Sequence, residues 1–223
     1  MNWIYRLERK LGRNFGVSNI MLYITTTMLA FYVLSLIIMP GLFGLIAFDR
    51  ELILSGEFWR IITFLLVPPY LGSPLWVLVS LFMVYRFGTS VEQTWGKTRL
   101  TLYLLFGALG AIAAGFISGF AVNTFVASSI VLVFCYLHPH ASLLLFFVLP
   151  VKARYIAIFT WAGFIVTFIL LRSLAFRMAI VFAVLNFLLF FGPDVWRTMR
   201  QNYNIVRRRK QYQKNWGDNN PWR

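Results

Sequence analysis

One cysteine, two histidines and seven acidic residues are the whole stock from which this 223-residue chain could build a disulfide, a metal centre or a charged active site. With Cys135 alone no internal disulfide can form, and a cysteine-ligated metal site is implausible. His138 and His140 flank Pro139, and two imidazoles so placed would need outside ligands to hold an ion, so neither metal nor cofactor is expected. Charge is scarce, at 13% of residues against about 25% in an ordinary soluble domain. A cleavable signal is also missing. Residues 1–19 are polar and basic, and the first apolar run has no small-residue cleavage site in the expected place. No internal repeat is visible.

Apolar residues are what the chain has in excess. They make up 60% of it, against roughly 45–50% in soluble domains, more than one core of this size can enclose. The surplus has to face lipid, with 23 Phe and 8 Trp suited to lipid-facing and interfacial positions. The net charge of +14 would suggest nucleic acid in a soluble protein. In a chain this apolar it reads as a topology signal, and the expected partner is the bilayer, with no nucleic acid.

A helix needs about 20 apolar residues to cross a hydrocarbon core of roughly 30 Å. Six stretches approach that: 20–40, 75–89, 100–119, 122–137, 155–171 and 174–191. Several are short, which suggests a locally thinned bilayer or crossings at different depths. Residues 42–74 carry acids, arginines and adjacent prolines, and read as an ordered, partly amphipathic loop in the outer interface. The run SLLLFFVLPV at 142–151 is too short for a span. It reads as the end of span four, a re-entrant piece or an interfacial segment.

The expected organisation is a basic segment 1–19, a membrane domain 20–191 and a basic tail 192–223 that includes RRRK at 207–210. With six spans and the N-terminus inside, the inner segments hold 17 of the 21 Lys and Arg. The outer ones hold four: Arg50, Arg60, Arg172 and Arg177. That asymmetry places both termini in the cytoplasm. The short loops and basic N-terminal LERKLGRNFG suit a bacterial cytoplasmic membrane.

Several residues stand out against this background. Arg60 follows Trp59 in the first loop, and its five donors call for an acid or loop carbonyls, which would staple the loop to the bundle. The alternative is an arginine reaching for headgroups beside an anchoring tryptophan. Glu92 lies just past span two and should accept hydrogen bonds from the loop that follows, unless it is a plain surface glutamate. Gly115 and Gly119 form a GxxxG pair in span three, suited to close helix packing within the bundle or, less readily, to dimerisation. Ser80, Asn123, Thr124 and Asn186 are polar positions on apolar spans. They are candidate client contacts, or they simply bond between helices.

In order and spacing these pieces resemble the rhomboid superfamily over about residues 20–191. The carrying residues are Trp59-Arg60 in FWRIITFLLVPP, then Tyr85, Gly88, Glu92 and Gly96 in LFMVYRFGTSVEQTWG, then LHPHASLLLFFVLPVKARYIAI. The span-two ending is similar to the derlin branch, with its tyrosine, glutamate and glycine. The resemblance implies an all-α, rhomboid-like six-helix bundle with a large ordered first loop. It also implies binding of transmembrane or misfolded clients, local bilayer thinning, and hand-over to a protease or an ATPase. Many derlins end in a glycine-rich motif that recruits such an ATPase. This chain ends QKNWGDNNPWR, whose NWG fragment is too short to support that partner.

Proteolytic rhomboids pair a glycine-flanked serine on span four with a histidine on span six. Neither is present. FAVNTFVASSIVLVFCYLHPH contains no glycine, and Thr124 falls near the nucleophile position, with Ser128 and Ser129 deeper. Such serines usually bond back to their own helix. In span six, Ala179 and Ala183 stand at the glycine positions and Val184 where the histidine would be. A hydroxyl without a base is a weak nucleophile, so a pseudoprotease without catalytic residues is expected. The alternative is an intramembrane serine peptidase with a rearranged site at Ser128 or Ser129. A transporter or channel is disfavoured, because the spans hold almost no ionisable residues to line a pathway.

Overall fold

The computed structural model describes residues 15–145 and 149–192 of the chain. The basic segment up to residue 14 and the tail beyond residue 192, with its RRRK run, lie outside the described residues. Five helices are long and apolar enough to cross a membrane, and a sixth apolar helix is shorter. In chain order these are α1 (Ile20–Ile37), α5 (Pro74–Trp95), α6 (Lys97–Ser118), the short α7 (Thr124–Leu137), α8 (Ala153–Leu170) and α9 (Leu174–Gly192). Between α1 and α5 the loop folds into three short helices, α2 (Leu42–Ile46), α3 (Arg50–Leu54) and α4 (Arg60–Thr63), and a 3-10 turn over Phe64–Leu66.

Helix boundaries follow local chemistry. Pro74 starts α5 at a position where its missing N–H is not needed. Gly96, at φ 91°, separates α5 from α6 with a single residue in a conformation that side chains resist. Gly119, at φ 89°, ends α6 in the left-handed region typical of helix C-termini. Span two is therefore longer than the sequence predicts, continuing past Thr89 to Trp95.

The short α7 is the hub. It packs against α5, α6 and α8. Aromatic contacts bring α9 against the same core, Tyr136 meeting Phe187 and Phe191. Fourteen residues span only about 21 Å, less than a hydrocarbon core. The shortfall is filled by the loop, which lies over the start of α7. Asn123 donates its amide to the carbonyls of Leu65 (2.7 Å) and Val67 (3.4 Å), and the Thr124 hydroxyl donates to Pro69 (3.1 Å).

The loop itself is held by Arg60. This residue is only 3% exposed. Its Nε meets the Glu57 carboxylate at 2.6 Å, and its Nη1 donates to the carbonyls of Gly44 (2.7 Å) and Ala47 (2.9 Å). The acid and the carbonyls expected of an arginine here are thus both present. Phe48 is fully buried beneath the loop, edge-on to Phe64 and to Phe116 of α6. Backbone pairing of Asp49 with Phe120 ties the loop to the α6–α7 connection.

Outward, the bundle is apolar. Ile37, Phe159 and Leu170 are each more than two-thirds exposed. A continuous surface of this kind is stable only against lipid, so the chain is an integral membrane protein. Exposed aromatics mark both rims as interfacial belts, with Trp59, Tyr70 and Trp76 at the loop end and Tyr23 and Tyr155 at the other.

Three expectations need correction. Residues 142–151 are not the end of the span-four helix, which stops at Leu137. Strands β1 (Ser142–Leu145) and β2 (Leu149–Lys152) pair as an antiparallel hairpin before α8, the one departure from helix-only structure among the described residues. A two-stranded hairpin leaves the outer edge of each strand unpaired, which suits an interfacial position, the remaining expected alternative, and not the hydrocarbon core. Glu92 accepts a hydrogen bond from the Asn19 backbone N–H at 2.7 Å, not from the loop after span two. Asn19 starts α1 in the left-handed region, so Glu92 secures the entry of the first helix. Gly115 and Gly119 do not mediate a helix–helix contact. Gly115 makes room for Phe48 and Ala121, and Gly119 terminates α6.

Candidate functional site

Close helix approach in the bundle centres on two other glycines of α6. A Cβ on Gly107 would lie 3.1 Å from Nδ2 of Asn186 and 3.3 Å from Val126. One on Gly110 would lie 3.3 Å from Cβ of Phe182. Residues without side chains here let α9 lie against α6, with Ala179 and Ala183 buried on its own face.

Where α6, α7 and α9 meet, three polar side chains are buried in apolar surroundings. Tyr103 of α6 is fully buried, among Trp95 and Phe190. Ser129 of α7 is its polar neighbour, yet the phenolic oxygen makes no well-formed hydrogen bond among the described residues. Asn186 of α9 is 6% exposed and donates Nδ2 to the backbone carbonyl of Tyr103 at 3.2 Å. Its Oδ1 is buried and has no partner among the described residues. An unmet acceptor in a membrane interior costs about 1–3 kcal/mol, and Tyr103 and Asn186 place two unmet buried polar atoms together here.

Asn186 also lines a surface groove between α6 and α9, with a cavity volume of about 630 Å³. Leu109 and Leu185 form exposed rims, and Gly110 and Ala113 keep its wall shallow. The site therefore combines an apolar, lipid-facing groove with one amide beneath it whose acceptor oxygen is buried and unmet.

The other residues singled out in the sequence fall into two groups. Trp59, Arg60, Asn123 and Thr124 come together at the loop end. There Trp59 is half exposed, and the polar groups of the other three hold loop backbone or, for Arg60, Glu57 as well. Glu92 and Gly96 mark the opposite end of α5, and Tyr85 packs against the core from the middle of that helix. Among the described residues Ser80 bonds to the Val77 carbonyl of its own helix. Asn186 stands apart from both groups. Sequence reasoning passed over Tyr103. A tyrosine in the interior of an apolar span, away from the interfaces where tyrosines collect, was the available signal.

The hydroxyls of the serine pair are engaged locally. Ser128 donates to the Thr124 carbonyl at 2.9 Å, and Ser129 to that of Val126 at 2.6 Å. His138 caps the far end of α7, nine residues beyond Ser129, or roughly 13 Å along the axis. Its Nε2 is 3.1 Å from the Thr94 hydroxyl, and its ring stacks on Phe134. A serine and a histidine so separated cannot exchange a proton directly.

Comparison of the sequence with models of known protein families yields no match, and comparison with curated proteins yields none either.

Proposed function

We propose that this chain is a non-proteolytic, rhomboid-like membrane protein, similar to the derlin branch, that binds transmembrane or misfolded membrane-protein segments and assists their handling. The observation that carries the reading is the apolar, lipid-facing α6–α9 groove, with the buried amide of Asn186 beneath its lining. A client helix lying there would bury apolar side chains against Leu109 and Leu185, and would have to shift the side chains covering the buried Asn186 Oδ1 before donating to it. An interhelical hydrogen bond of this kind contributes about 1 kcal/mol, enough to prefer polar, poorly assembled segments over purely apolar ones.

Support for a pseudoprotease comes from the local bonding of Ser128 and Ser129 and from Val184, which stands where the rhomboid resemblance puts the span-six histidine. The short α7, roofed by a loop with exposed Leu54, Phe58 and Ile62, is suited to thinning the bilayer around a client. Hand-over to a protease or an ATPase completes this reading. In this orientation both termini lie in the cytoplasm of a bacterial cell and the 42–74 loop lies outside.

Orientation has a direct test. In a protein whose Cys135 is replaced by alanine, Leu54→Cys should react with an impermeant maleimide in intact cells, and cysteines placed within 200–223 should not. The reverse pattern would refute the orientation.

Function is tested by activity labelling together with co-purification. Purified protein should remain unlabelled by a fluorophosphonate, which needs an activated serine. Asn186→Leu should deplete the membrane proteins recovered from native membranes with the wild-type chain. Labelling abolished by Ser128→Ala or Ser129→Ala would establish a peptidase instead. An unchanged set of co-purified proteins would remove Asn186 from client binding.

A further inference from the structure

A second cavity, of about 300 Å³, lies on the other side of the bundle, between α1 and α6. The two helices are bridged near their ends. At one end Gly16 lies so close to the Thr98 backbone that a Cβ would stand 2.5 Å from Thr98 N, and the Val17 N–H reaches the Thr101 hydroxyl at 3.4 Å. At the other end the loop closes the gap. Arg50 bonds to the carbonyls of Phe116 and Gly119, and Phe48 packs against Phe116. Between these bridges lies a slot, walled by Ile24 and Met28 of α1 and Leu104 and Ala108 of α6, with Ala127 and Ile130 of α7 as its floor. Leu105 and Ile62 form its lips and are 48% and 69% exposed, so it opens sideways, toward lipid.

We infer that this slot is a binding site for one acyl chain of a bilayer phospholipid. This goes beyond the client reading and does not depend on it. Thr101 and Asn123 are the polar residues of the lining. Thr101 donates to the Lys97 carbonyl and accepts from Val17, and Asn123 donates to the loop carbonyls of Leu65 and Val67. Water needs two to four polar partners to occupy a cavity, and here the amide and hydroxyl protons already have theirs.

A void of this volume is about ten times a water molecule's share of liquid, and apolar cavities half as large take up apolar ligands. One turn of a helix about 10 Å across and about 5.4 Å long fills about 420 Å³, more than the slot's volume. Because both ends are bridged, the opening lies at a depth where the only available molecule is hydrocarbon. The site thus selects the middle or end of a chain and excludes the headgroup.

The test uses the full-length chain reconstituted with phospholipids that carry a photoactivatable diazirine either at mid-chain or next to the headgroup. Because α7 is surrounded by protein, an adduct on Ala127 or Ile130 reports slot occupancy and not general lipid contact. The mid-chain probe should give adducts on these residues and the headgroup-proximal probe should not. Ala108→Phe, which fills the slot from its wall, should lower those adducts by about tenfold, the effect of losing roughly two buried methylenes. It should leave labelling of the lipid-facing Phe159 unchanged. Adducts on Phe159 with none on α7 in the wild-type protein would overturn the inference, as would equal labelling of α7 by both probes. The wild-type comparison stands even where the variant folds poorly.

Discussion

Arg60→Ala is expected to lower the stability of the detergent-solubilised protein by about 3 kcal/mol, the range for breaking a buried, bonded charge. Three partners lose their donor at once: the Glu57 carboxylate and the carbonyls of Gly44 and Ala47. Glu57 is one-third exposed and can recover water, so most of the effect comes from the two carbonyls. Arg60→Lys keeps the charge but not the fork and should recover only part of the loss. Arg50→Ala is the control. Its side chain makes one exposed bond of 3.3 Å to Phe116, so the change should stay within about 0.5 kcal/mol. Thermal unfolding of the three variants under one set of conditions reads this ordering. Equal stability of the Arg60 and Arg50 variants would contradict the clamp.

Gly115→Leu should be comparably damaging for a different reason. Its Cβ alone would stand 2.6 Å from the Phe48 ring and 2.8 Å from Ala121, both buried and neither able to swing aside. Overpacking of this kind costs about 1–3 kcal/mol, and here it also pushes the loop off α6. Gly163→Leu on α8 meets nothing within 4 Å and should be neutral or stabilising, since glycine is about 1 kcal/mol worse than a good helix former. Limited proteolysis within 42–74 should rise for the Gly115 variant and not for the Gly163 variant.

The legibility of this chain in its sequence was uneven, for physical reasons. The apolar runs announced the membrane helices because lipid imposes length and composition on every span. Arg60 was legible because a guanidinium in an apolar loop has few ways to be satisfied. The partners of Glu92 and Gly115 were not. Glu92 is met by Asn19, which is 73 residues away in sequence, and Gly115 is filled by an aromatic from the loop, so neither contact leaves a local pattern. The hairpin at 142–152 was hidden because a short apolar run has the same composition as a strand or a buried helix turn. Asn123, Thr124 and Asn186 looked equivalent in sequence as polar residues on apolar spans. In the folded chain the first two hold loop carbonyls, and of the three Asn186 is the one with a buried unmet acceptor among the described residues.

Client capture in the α6–α9 groove is tested most directly by a photo-crosslinking residue placed at Leu185 on the groove rim and, for comparison, at Phe159 on the exposed face of α8. Irradiation of intact membranes should give discrete adducts with uncleaved membrane proteins at Leu185, lost when Asn186→Leu is added, and lipid adducts alone at Phe159. The same protein adducts at both positions, or none at Leu185, would contradict it.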